Sequence, residues 1–384
     1  MKIPFGDFSL APHGTAIYRI NKAISNNRIT EGENVRDLEQ RFAEIFGWKH
    51  AIMTSSGSTA AQVVWSAIRE KESIGWAMRW VITPASAFVS TACSLLAGGL
   101  WEAFIDIDET LNIDPLRVAL LMNGPSGAMQ VRLAAPIGIQ FVANMGRFIH
   151  APEITEIADK HDLWFIGDLC EGHGGMIDGK HCEWFDAAIY SMFPAHMVIA
   201  GEGGMICTDH DEIANLCRSI KNHGRPFGGS NLMKFDRIGF NAKANELTAA
   251  VGLETIELFP EVFDRRRAIR EEMLYRLAKF EQLILFPDAP GEVIAPHAFP
   301  ILLKDENADI EPLYRHLNRR EVECKLLFGS LPTQHEAFSF MNYARGAFPV
   351  AERVGRTGLH WGLWDGITKE HLDYLVRCLE EFFG

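Results

Sequence analysis

Features that would direct this 384-residue chain to a membrane, to nucleic acid or to an oxidising compartment are missing from its sequence. No apolar run reaches the roughly 20 residues that span a bilayer, and residues 1–14 lack the apolar core of a signal peptide. Lys and Arg (37) are outnumbered by Asp and Glu (50), and the net charge of -13 argues against a nucleic-acid partner. We therefore expect a cytoplasmic protein with neither a membrane nor a nucleic-acid partner.

The cysteines lack a C-x-x-C pair and any regular spacing. An odd number of irregularly spaced cysteines favours reduced thiols over a disulfide framework, and it gives no indication of a metal site. We interpret most of them as small core residues. They are Cys93, Cys170, Cys182, Cys207, Cys217, Cys324 and Cys378.

Strands and helices alternate over the first 250 residues. In residues 34–47, apolar side chains recur at helical spacing and Gly47 provides a stop. Short apolar runs predict strands at HAIMTSS, RWVITPA, WEAFIDID, LWFIGD, AAIYSM and GGMICTD, and STAAQVVWSAIRE and PEITEIADKHD predict helices. This alternation predicts an α/β fold whose mostly parallel sheet is covered by helices on both faces.

A different pattern begins near residue 255. Residues 257–280 predict one long helix rich in Arg and Glu, and the chain after it predicts a smaller α+β region. We therefore predict a large domain of residues 1–255 and a small C-terminal domain of residues 256–384.

Two glycine-containing turns follow predicted strands and are candidates for a binding site. Ser55–Thr59 precedes a helix, where free backbone N–H groups and hydroxyls can hold a phosphate, although an ordinary helix cap has the same residues. Asp168 ends a strand and is followed within five residues by Glu171 and His173. We favour a ligand site over a simple capping role for this cluster.

Three later segments are ambiguous when each is taken alone. His196 stands among apolar residues, as most structural histidines do, and a glycine-rich turn follows it. The segments NHGR, with His223, and GFN, with Asn241, are each compatible with a solvated loop. The order of these segments along the chain is more informative than any one of them.

From about Thr30 to the C-terminus, that order resembles the DegT/DnrJ/StrS family of sugar aminotransferases and their dehydratase relatives. The resemblance is carried by TEGENVRDLEQRFAEIFG, SSGSTA, DLCEGHG, SMFPAHMVIAGEGGMICTD, NHGR and GFNAKANELTAAVGLETIELFP. It implies the aspartate-aminotransferase-like fold (fold type I), with a large domain and a smaller C-terminal α+β domain. It also implies pyridoxal phosphate (PLP) or pyridoxamine phosphate (PMP) as the cofactor, and a homodimer with active sites at the interface.

The resemblance also assigns individual residues to the cofactor. Phe88 would stack on its ring, Asp168 would pair with the ring nitrogen, and Glu171 falls where the family has a polar residue near the ring hydroxyl. Four residues would hold its phosphate, the last of them in the neighbouring subunit: Gly57, Ser58, Ser191 and Asn241.

The departure from the family lies at His196, where its aminotransferases have their catalytic lysine. A lysine amine forms a Schiff base with PLP, whereas imidazole cannot form that stable bond but still acts as an acid or base near neutral pH. A histidine at this position resembles the nucleotide-sugar 3-dehydratases, and His223 matches a histidine of the same subgroup. The segments ECKLLFG and GLHWGLWDGITKEHLDYL also resemble theirs.

The resemblance therefore implies a 3-dehydratase of NDP-4-keto-6-deoxyhexoses in deoxysugar biosynthesis, and it is compatible with both lipopolysaccharide O-antigen and antibiotic sugars. His196 and His223 would be its catalytic residues, and a nucleotide sugar and L-glutamate its small-molecule partners. One branch of this subgroup binds an iron–sulfur cluster through cysteines that follow the position of Arg225. Residues 226–240 contain no cysteine, so we predict no cluster.

Two alternatives stay open. An aminotransferase could use a displaced lysine such as Lys221 or Lys243, the latter standing where the family has the arginine of N-x-R. A non-catalytic binding or regulatory protein could have kept the fold after losing the lysine.

Overall fold

The computed structural model describes residues 1–6, 14–73, 78–123, 135–226 and 233–384. Its α-helices are α1 (Thr15–Ser25), α2 (Glu33–Phe46), α3 (Gly57–Lys71), α4 (Val89–Ala97), α5 (Pro115–Asn123), α6 (Ala151–His161), α7 (Asp211–Ile220), α8 (Glu246–Glu257), α9 (Phe259–Leu277), α10 (Glu311–Arg319), α11 (Leu331–Gln334), α12 (Pro349–Thr357) and α13 (Lys369–Phe383). Its strands are β1 (His50–Thr54), β2 (Trp80–Pro84), β3 (Trp101–Ile105), β4 (Gly138–Val142), β5 (Trp164–Asp168), β6 (Met176–Ile177), β7 (Ala187–Ser191), β8 (Gly204–Thr208), β9 (Leu283–Leu285), β10 (Glu292–Val293), β11 (Ala298–Leu303), β12 (Cys324–Leu326) and β13 (Gly358–Gly362). None of the helices in these ranges combines the length and the apolar character needed to cross a membrane.

A seven-stranded sheet with the order β1-β8-β7-β5-β4-β2-β3 organises the first part of the chain. The strands from β7 to β3 pair in parallel, whereas β8 is antiparallel to both of its neighbours, β1 and β7. Adjacent residues such as Ile52 and Met53 belong to different apolar cores, because successive side chains of a strand point to opposite faces. Helices α3 and α7 contribute to one core and α2 and α6 to the other, which confirms the predicted sheet covered on both faces.

The strand β4 has no counterpart among the predicted strands. All five of its residues are buried, including Gln140, so its sequence shows no alternation of apolar and polar side chains. It lies between β5 and β2, in the middle of the sheet, where both faces are covered.

The predicted helix boundaries around the candidate phosphate turn are confirmed. α2 ends at Phe46, and Gly47 follows with φ 77°, a left-handed conformation that glycine adopts readily. α3 begins after Ser56, whose hydroxyl accepts a hydrogen bond from the N–H of Thr59, while the Thr59 hydroxyl accepts one from the N–H of Ser56. This reciprocal capping fixes the start of the helix.

A second, antiparallel sheet with the order β12-β13-β11-β9 occupies the C-terminal part. The predicted long helix is present as α9, which is separated from α8 at Leu258 and has Pro260 in its first turn. Ile3 packs in the core of this second sheet, and its N–H donates to the carbonyl of Glu321 over 2.9 Å. The domain boundary at residue 255 stays a prediction.

The two sheets meet at one cavity. Asp168 ends β5 and Ser191 ends β7, at the carboxyl edge of the first sheet, where open α/β sheets bind ligands. From the second sheet, Lys325 of β12 and His360 of β13 line the same cavity. Both parts of the chain therefore contribute to the candidate site.

Candidate active site

The cavity between the sheets has a volume of about 450 Å³ and brings together most of the residues predicted from the sequence. Its lining also includes the N-terminal Phe5 and, from the C-terminal part, His297 and Phe328. The predicted residues that line it are Gly57, Ser58, Phe88, Asp168, Glu171, Ser191 and His196. The other two predicted residues, His223 and Asn241, are not among its lining residues.

The start of α3 offers a site for an anion. The backbone N–H groups of Gly57 and Ser58 lie in the first turn, where a helix provides no acceptor for them and carries a partial positive charge. A Cβ at Gly57 would stand 2.9 Å from the Cβ of Ser191, so glycine permits the close approach of this turn to the end of β7. A Cβ at Gly204 would stand 2.2 Å from the carbonyl oxygen of Ser56, so β8 packs directly against the same turn. This arrangement fits a phosphate group.

Asp168 places a buried carboxylate at the bottom of the cavity. One oxygen accepts a hydrogen bond from the Thr91 hydroxyl over 2.9 Å, and the other accepts one from the N–H of Cys170 over 3.3 Å. Burial raises the pKa of Asp168, and no cationic side chain of the described residues pairs with it. A protonated ring nitrogen would supply the missing positive partner, so this carboxylate fits the ring that the resemblance implies.

Phe88 presents an aromatic face to a bound ring. It stands at the N-cap of α4, and 56% of its surface is exposed although it lines the cavity. Its ring centroid lies 5.8 Å from that of Phe328. A large apolar side chain left this exposed is suited to stacking against a ligand.

Glu171 is held from two sides of the cavity. Its Oε2 accepts a hydrogen bond from the N–H of Met145 over 2.8 Å, and its Oε1 lies 3.4 Å from Nε2 of His297. Burial raises the pKa of Glu171 to about 7. The carboxyl group therefore changes its charge near neutral pH, which is a property that acid–base groups need.

His196 lies on the loop after β7 and faces the same space. Its carbonyl oxygen accepts a hydrogen bond from Nη2 of the buried Arg266 over 3.3 Å. Its Nδ1 is buried without a hydrogen-bond partner among the residues that the structure describes, so Nε2 is the nitrogen that can meet a ligand. Burial, with the positive charges of Arg266 and Lys325, lowers the pKa of His196 to about 3. The imidazole is therefore neutral at physiological pH and available as a base.

The two lysines that could replace a catalytic lysine do not line the cavity. Nζ of Lys221 pairs with Glu31 over 2.7 Å and donates to the Met53 carbonyl over 2.8 Å. Nζ of Lys243 donates to Asn241 Oδ1 over 2.6 Å. The lysine that does line the cavity is Lys325, whose amine lies 4.1 Å above the ring centroid of Phe5.

His223 and Asn241 lie together on an exposed part of the chain. Asn222 and Asn241 form an isolated antiparallel bridge, and the N–H of His223 donates to the carbonyl of Phe240 over 3.0 Å. His223 adopts φ 64° in this turn. Their contribution to the site of a neighbouring subunit stays a prediction.

Several lining residues have no local signal in the sequence and were not predicted from it. Phe5, His297, Lys325 and His360 are single residues far apart in the chain, and no local spacing connects them. Lys325 and His360 do lie in two of the segments that resemble the dehydratases. That resemblance is the feature of the sequence that could have identified them as site residues. In the described ranges, no group of three or more His, Cys, Asp or Glu residues could hold a metal ion.

Comparison with known proteins gives one matching family and several similar enzymes. The model of the DegT/DnrJ/EryC1/StrS aminotransferase family matches residues 13–380. The chain is 28% identical to a GDP-4-keto-6-deoxy-D-mannose 3-dehydratase of Yersinia pseudotuberculosis, with 94% of each protein covered. It is 27% identical to a lipopolysaccharide biosynthesis protein of Salmonella typhimurium, with 93% of this chain and 86% of that protein covered.

A solved structure extends the comparison to three dimensions. The E. coli GDP-4-keto-6-deoxy-D-mannose-3-dehydratase with bound hydrated PLP is 25% identical, covers 99% of both chains and has a TM-score of 0.86. The expected aspartate-aminotransferase-like architecture of fold type I is confirmed by such likenesses.

Proposed function

The chain belongs to the DegT/DnrJ/EryC1/StrS aminotransferase family, and from this premise we propose that it is a PLP- or PMP-dependent 3-dehydratase of NDP-4-keto-6-deoxyhexoses. The observation that carries the proposal is the imidazole of His196 in a cavity whose other side chains suit a phosphorylated, protonated ring. Dehydratases that are similar in sequence and in fold support the same reaction class.

Residues of the first sheet would hold the cofactor. The first-turn N–H groups of Gly57 and Ser58, with the Ser191 hydroxyl, bind the phosphate. Asp168 keeps the ring nitrogen protonated, and Phe88 covers one face of the ring. Because a neutral imidazole replaces the lysine, the cofactor is held by these contacts without a covalent link to residue 196.

His196 moves the proton in this proposal. The bound cofactor supplies an electron sink next to the sugar carbon that loses its hydroxyl. His196 Nε2 would take up the proton that the bound pair of cofactor and substrate releases, and would return it to the departing C3 hydroxyl, which leaves as water. Because its pKa is low, His196 is unprotonated at neutral pH, and once protonated it is a strong acid that readily gives the proton to the departing hydroxyl.

The proposed partners follow from the same reaction. A nucleotide sugar is the substrate, and L-glutamate restores the amine form of the cofactor. We place the protein in the deoxysugar branch of cell-surface polysaccharide synthesis, in the cytoplasm. His223 and Asn241 of one subunit complete the site of the other in a homodimer.

Turnover with candidate sugars tests the proposal. The purified protein is incubated with PLP, L-glutamate and GDP-4-keto-6-deoxymannose or its dTDP and CDP counterparts, and ammonia and the sugar mass are measured. Dehydration should release ammonia and give a 3-deoxy-4-keto sugar, and His196→Asn should abolish it. An amino sugar formed without loss of the hydroxyl would contradict the proposal, and tight PMP binding without any turnover would favour a non-catalytic binding protein.

An aminotransferase is the second candidate, because Lys325 places an amine in the cavity. Borohydride reduction of the PLP-loaded protein followed by peptide mapping separates the two. A lysine that bonds to PLP becomes permanently labelled, whereas a dehydratase without that bond releases the reduced cofactor and leaves its peptides unlabelled. Labelling of Lys325 that disappears in Lys325→Met would favour the aminotransferase.

A further inference from the structure

The N-terminal segment of residues 2–5 is fastened to the second sheet beside β12. Ile3 forms a parallel bridge with Val322, and its carbonyl accepts a hydrogen bond from the N–H of Glu323 over 2.9 Å. The N–H of Phe5 donates to Oε2 of Glu323 over 2.9 Å. These bonds fix the backbone at Phe5, whose side chain lines the cavity.

The ring of Phe5 contacts two cavity side chains of the second sheet. Lys325 of β12 and His360 of β13 are directly paired, so their side chains lie on the same face of the sheet. The Phe5 ring centroid lies 4.1 Å from Nζ of Lys325, and 5.3 Å from the His360 ring with an angle of 89° between the ring planes. Because an aromatic face attracts an ammonium group, the ring restricts where the long Lys325 side chain can place its charge.

The amine of Lys325 is left without an acidic partner. Glu323 stands two residues before it, but its carboxylate lies 3.1 Å from Nζ of Lys2 and accepts the N–H of Phe5. Across the described ranges, no carboxylate forms an ion pair with Lys325. The positive charge that Phe5 holds in the cavity is therefore available to a ligand.

This charge acts on the groups assigned to the reaction. Burial and, after it, the positive charges of Arg266 and Lys325 lower the pKa of His196 to about 3. Burial raises the pKa of Glu171 to about 7, and the charge of Lys325 works against that rise. The Lys325 amine thus belongs to the reacting end of the cavity.

The reacting end favours a carboxylate over a diphosphate as the anion that Lys325 meets. In an amino acid, the α-carboxylate is attached directly to the carbon that carries the reacting amine. In a nucleotide sugar, the diphosphate is attached to C1, on the far side of the sugar ring from the C4 ketone. An anion held near His196 and Glu171 therefore fits the amino acid.

We propose that Lys325 binds the α-carboxylate of the amino acid that supplies the cofactor amine, and that Phe5 is a positioning residue that holds the Lys325 amine for this contact. Lys325 stays protonated in this role and donates hydrogen bonds to the carboxylate oxygens. The inference rests on the proposed function and deepens it, because it gives L-glutamate a binding residue and the N-terminal segment a part in the site.

Calorimetric titration of the PLP-loaded protein tests the role of Lys325 without any turnover. Glutarate, a dicarboxylate without the reacting amine, is one probe, and GDP is the diphosphate probe. Lys325→Met should weaken glutarate binding about 10- to 100-fold and leave GDP binding unchanged, whereas Lys325→Arg should keep most of the affinity for glutarate. The matched control is Lys180→Met, since Nζ of Lys180 lies 4.6 Å from the Trp184 ring centroid but outside the cavity lining, and it should leave glutarate binding unchanged.

A double-variant comparison tests the role of Phe5. Phe5→Leu keeps an apolar side chain but removes the ring, so it should weaken glutarate binding about threefold, and Phe5→Trp should restore it. In the Lys325→Met protein, Phe5→Leu should have no further effect, because the ring acts through the amine. A ring that only packs against the sheet would give the same loss in both proteins.

Four results would overturn the inference. They are a failure of the unaltered PLP-loaded protein to bind glutarate, unchanged glutarate affinity in Lys325→Met, a loss of GDP binding in its place, and an equal effect of Phe5→Leu with and without Lys325. If glutarate binding depends on Lys325 and Phe5 as expected but no sugar is dehydrated, the proposed function fails while the carboxylate site stands.

Discussion

Placing a lysine at residue 196 should allow PLP to bond covalently to this position. The side chain would start from the loop after β7 and face the cavity beside Arg266 and Lys325, as His196 does. A new amine must be uncharged to attack the PLP aldehyde, so its pKa decides whether the bond forms.

The expected pKa of the new amine follows from the pKa shift of His196. Its surroundings lower the pKa of the imidazole from 6.5 to about 3. The same surroundings would lower the pKa of an amine from about 10.4 to about 7. At pH 8 most of that amine is neutral. The neutral fraction of a fully exposed lysine at the same pH is below about 1%. Reaction with PLP should therefore be fast at pH 8 and slow at pH 6.

Borohydride reduction and peptide mapping check this expectation. His196→Lys should retain PLP after reduction and denaturation, with the label on the peptide that contains residue 196, and the absorption of bound PLP should move to longer wavelength. The double variant His196→Lys/Lys325→Met excludes a contribution from the other cavity lysine. If PLP binds to His196→Lys with normal affinity but stays removable after reduction at pH 8, residue 196 does not face the aldehyde.

Three further expectations concern groups around the cavity and the first sheet. Glu102 is buried, neither of its carboxyl oxygens has a hydrogen-bond partner among the described residues, and burial raises its pKa to about 8. Between pH 4.5 and 8 only the unfolded state releases this proton, so the free energy of unfolding falls as the pH rises. Glu102→Gln should remove this loss, about 3–5 kcal/mol, and thermal unfolding that shows the same pH dependence in both proteins would contradict it. Gly57→Ala places a Cβ 2.9 Å from the Cβ of Ser191, so it should weaken PLP binding about tenfold. Fluorescence titration measures the affinity, and a change below twofold would mean that this turn does not hold the phosphate. Asp168→Asn should bind PLP about 10- to 100-fold more weakly, and equal affinity would refute the pairing of Asp168 with the ring. Without ligand the variant should unfold at a higher temperature, because the burial that raises the pKa of Asp168 disfavours its charged carboxylate.

The sequence predicted the parts of the fold whose signals are local. The apolar spacing before Gly47, the caps at Ser56 and the strand that ends at Asp168 each occupy fewer than 15 residues, and the structure contains all three. The cavity residues that follow strand ends were predicted for the same reason, because the carboxyl edge of a parallel sheet is a recurrent ligand site.

Residues that reach the cavity from other parts of the chain could not be predicted this way. His297 approaches Glu171 because the segment before β11 packs against the turn at Met145, where the N–H of Ala295 donates to the carbonyl of Gly146 over 2.9 Å. That contact joins residues about 150 positions apart, and no periodic pattern encodes it. Lys325 and His360 depend likewise on the pairing of β12 with β13.

The close approach of Gly204 to the Ser56 carbonyl limits how this site can be re-engineered. If position 204 is randomised and the variants are selected for activity, glycine should be recovered whichever sugar is used. Any Cβ at this position collides with the main chain of Ser56, which cannot move without shifting α3. The rim at Lys325, which is exposed, has no such obstacle. Altered substrate preference should therefore evolve on the rim, while the anion-holding turn remains unchanged.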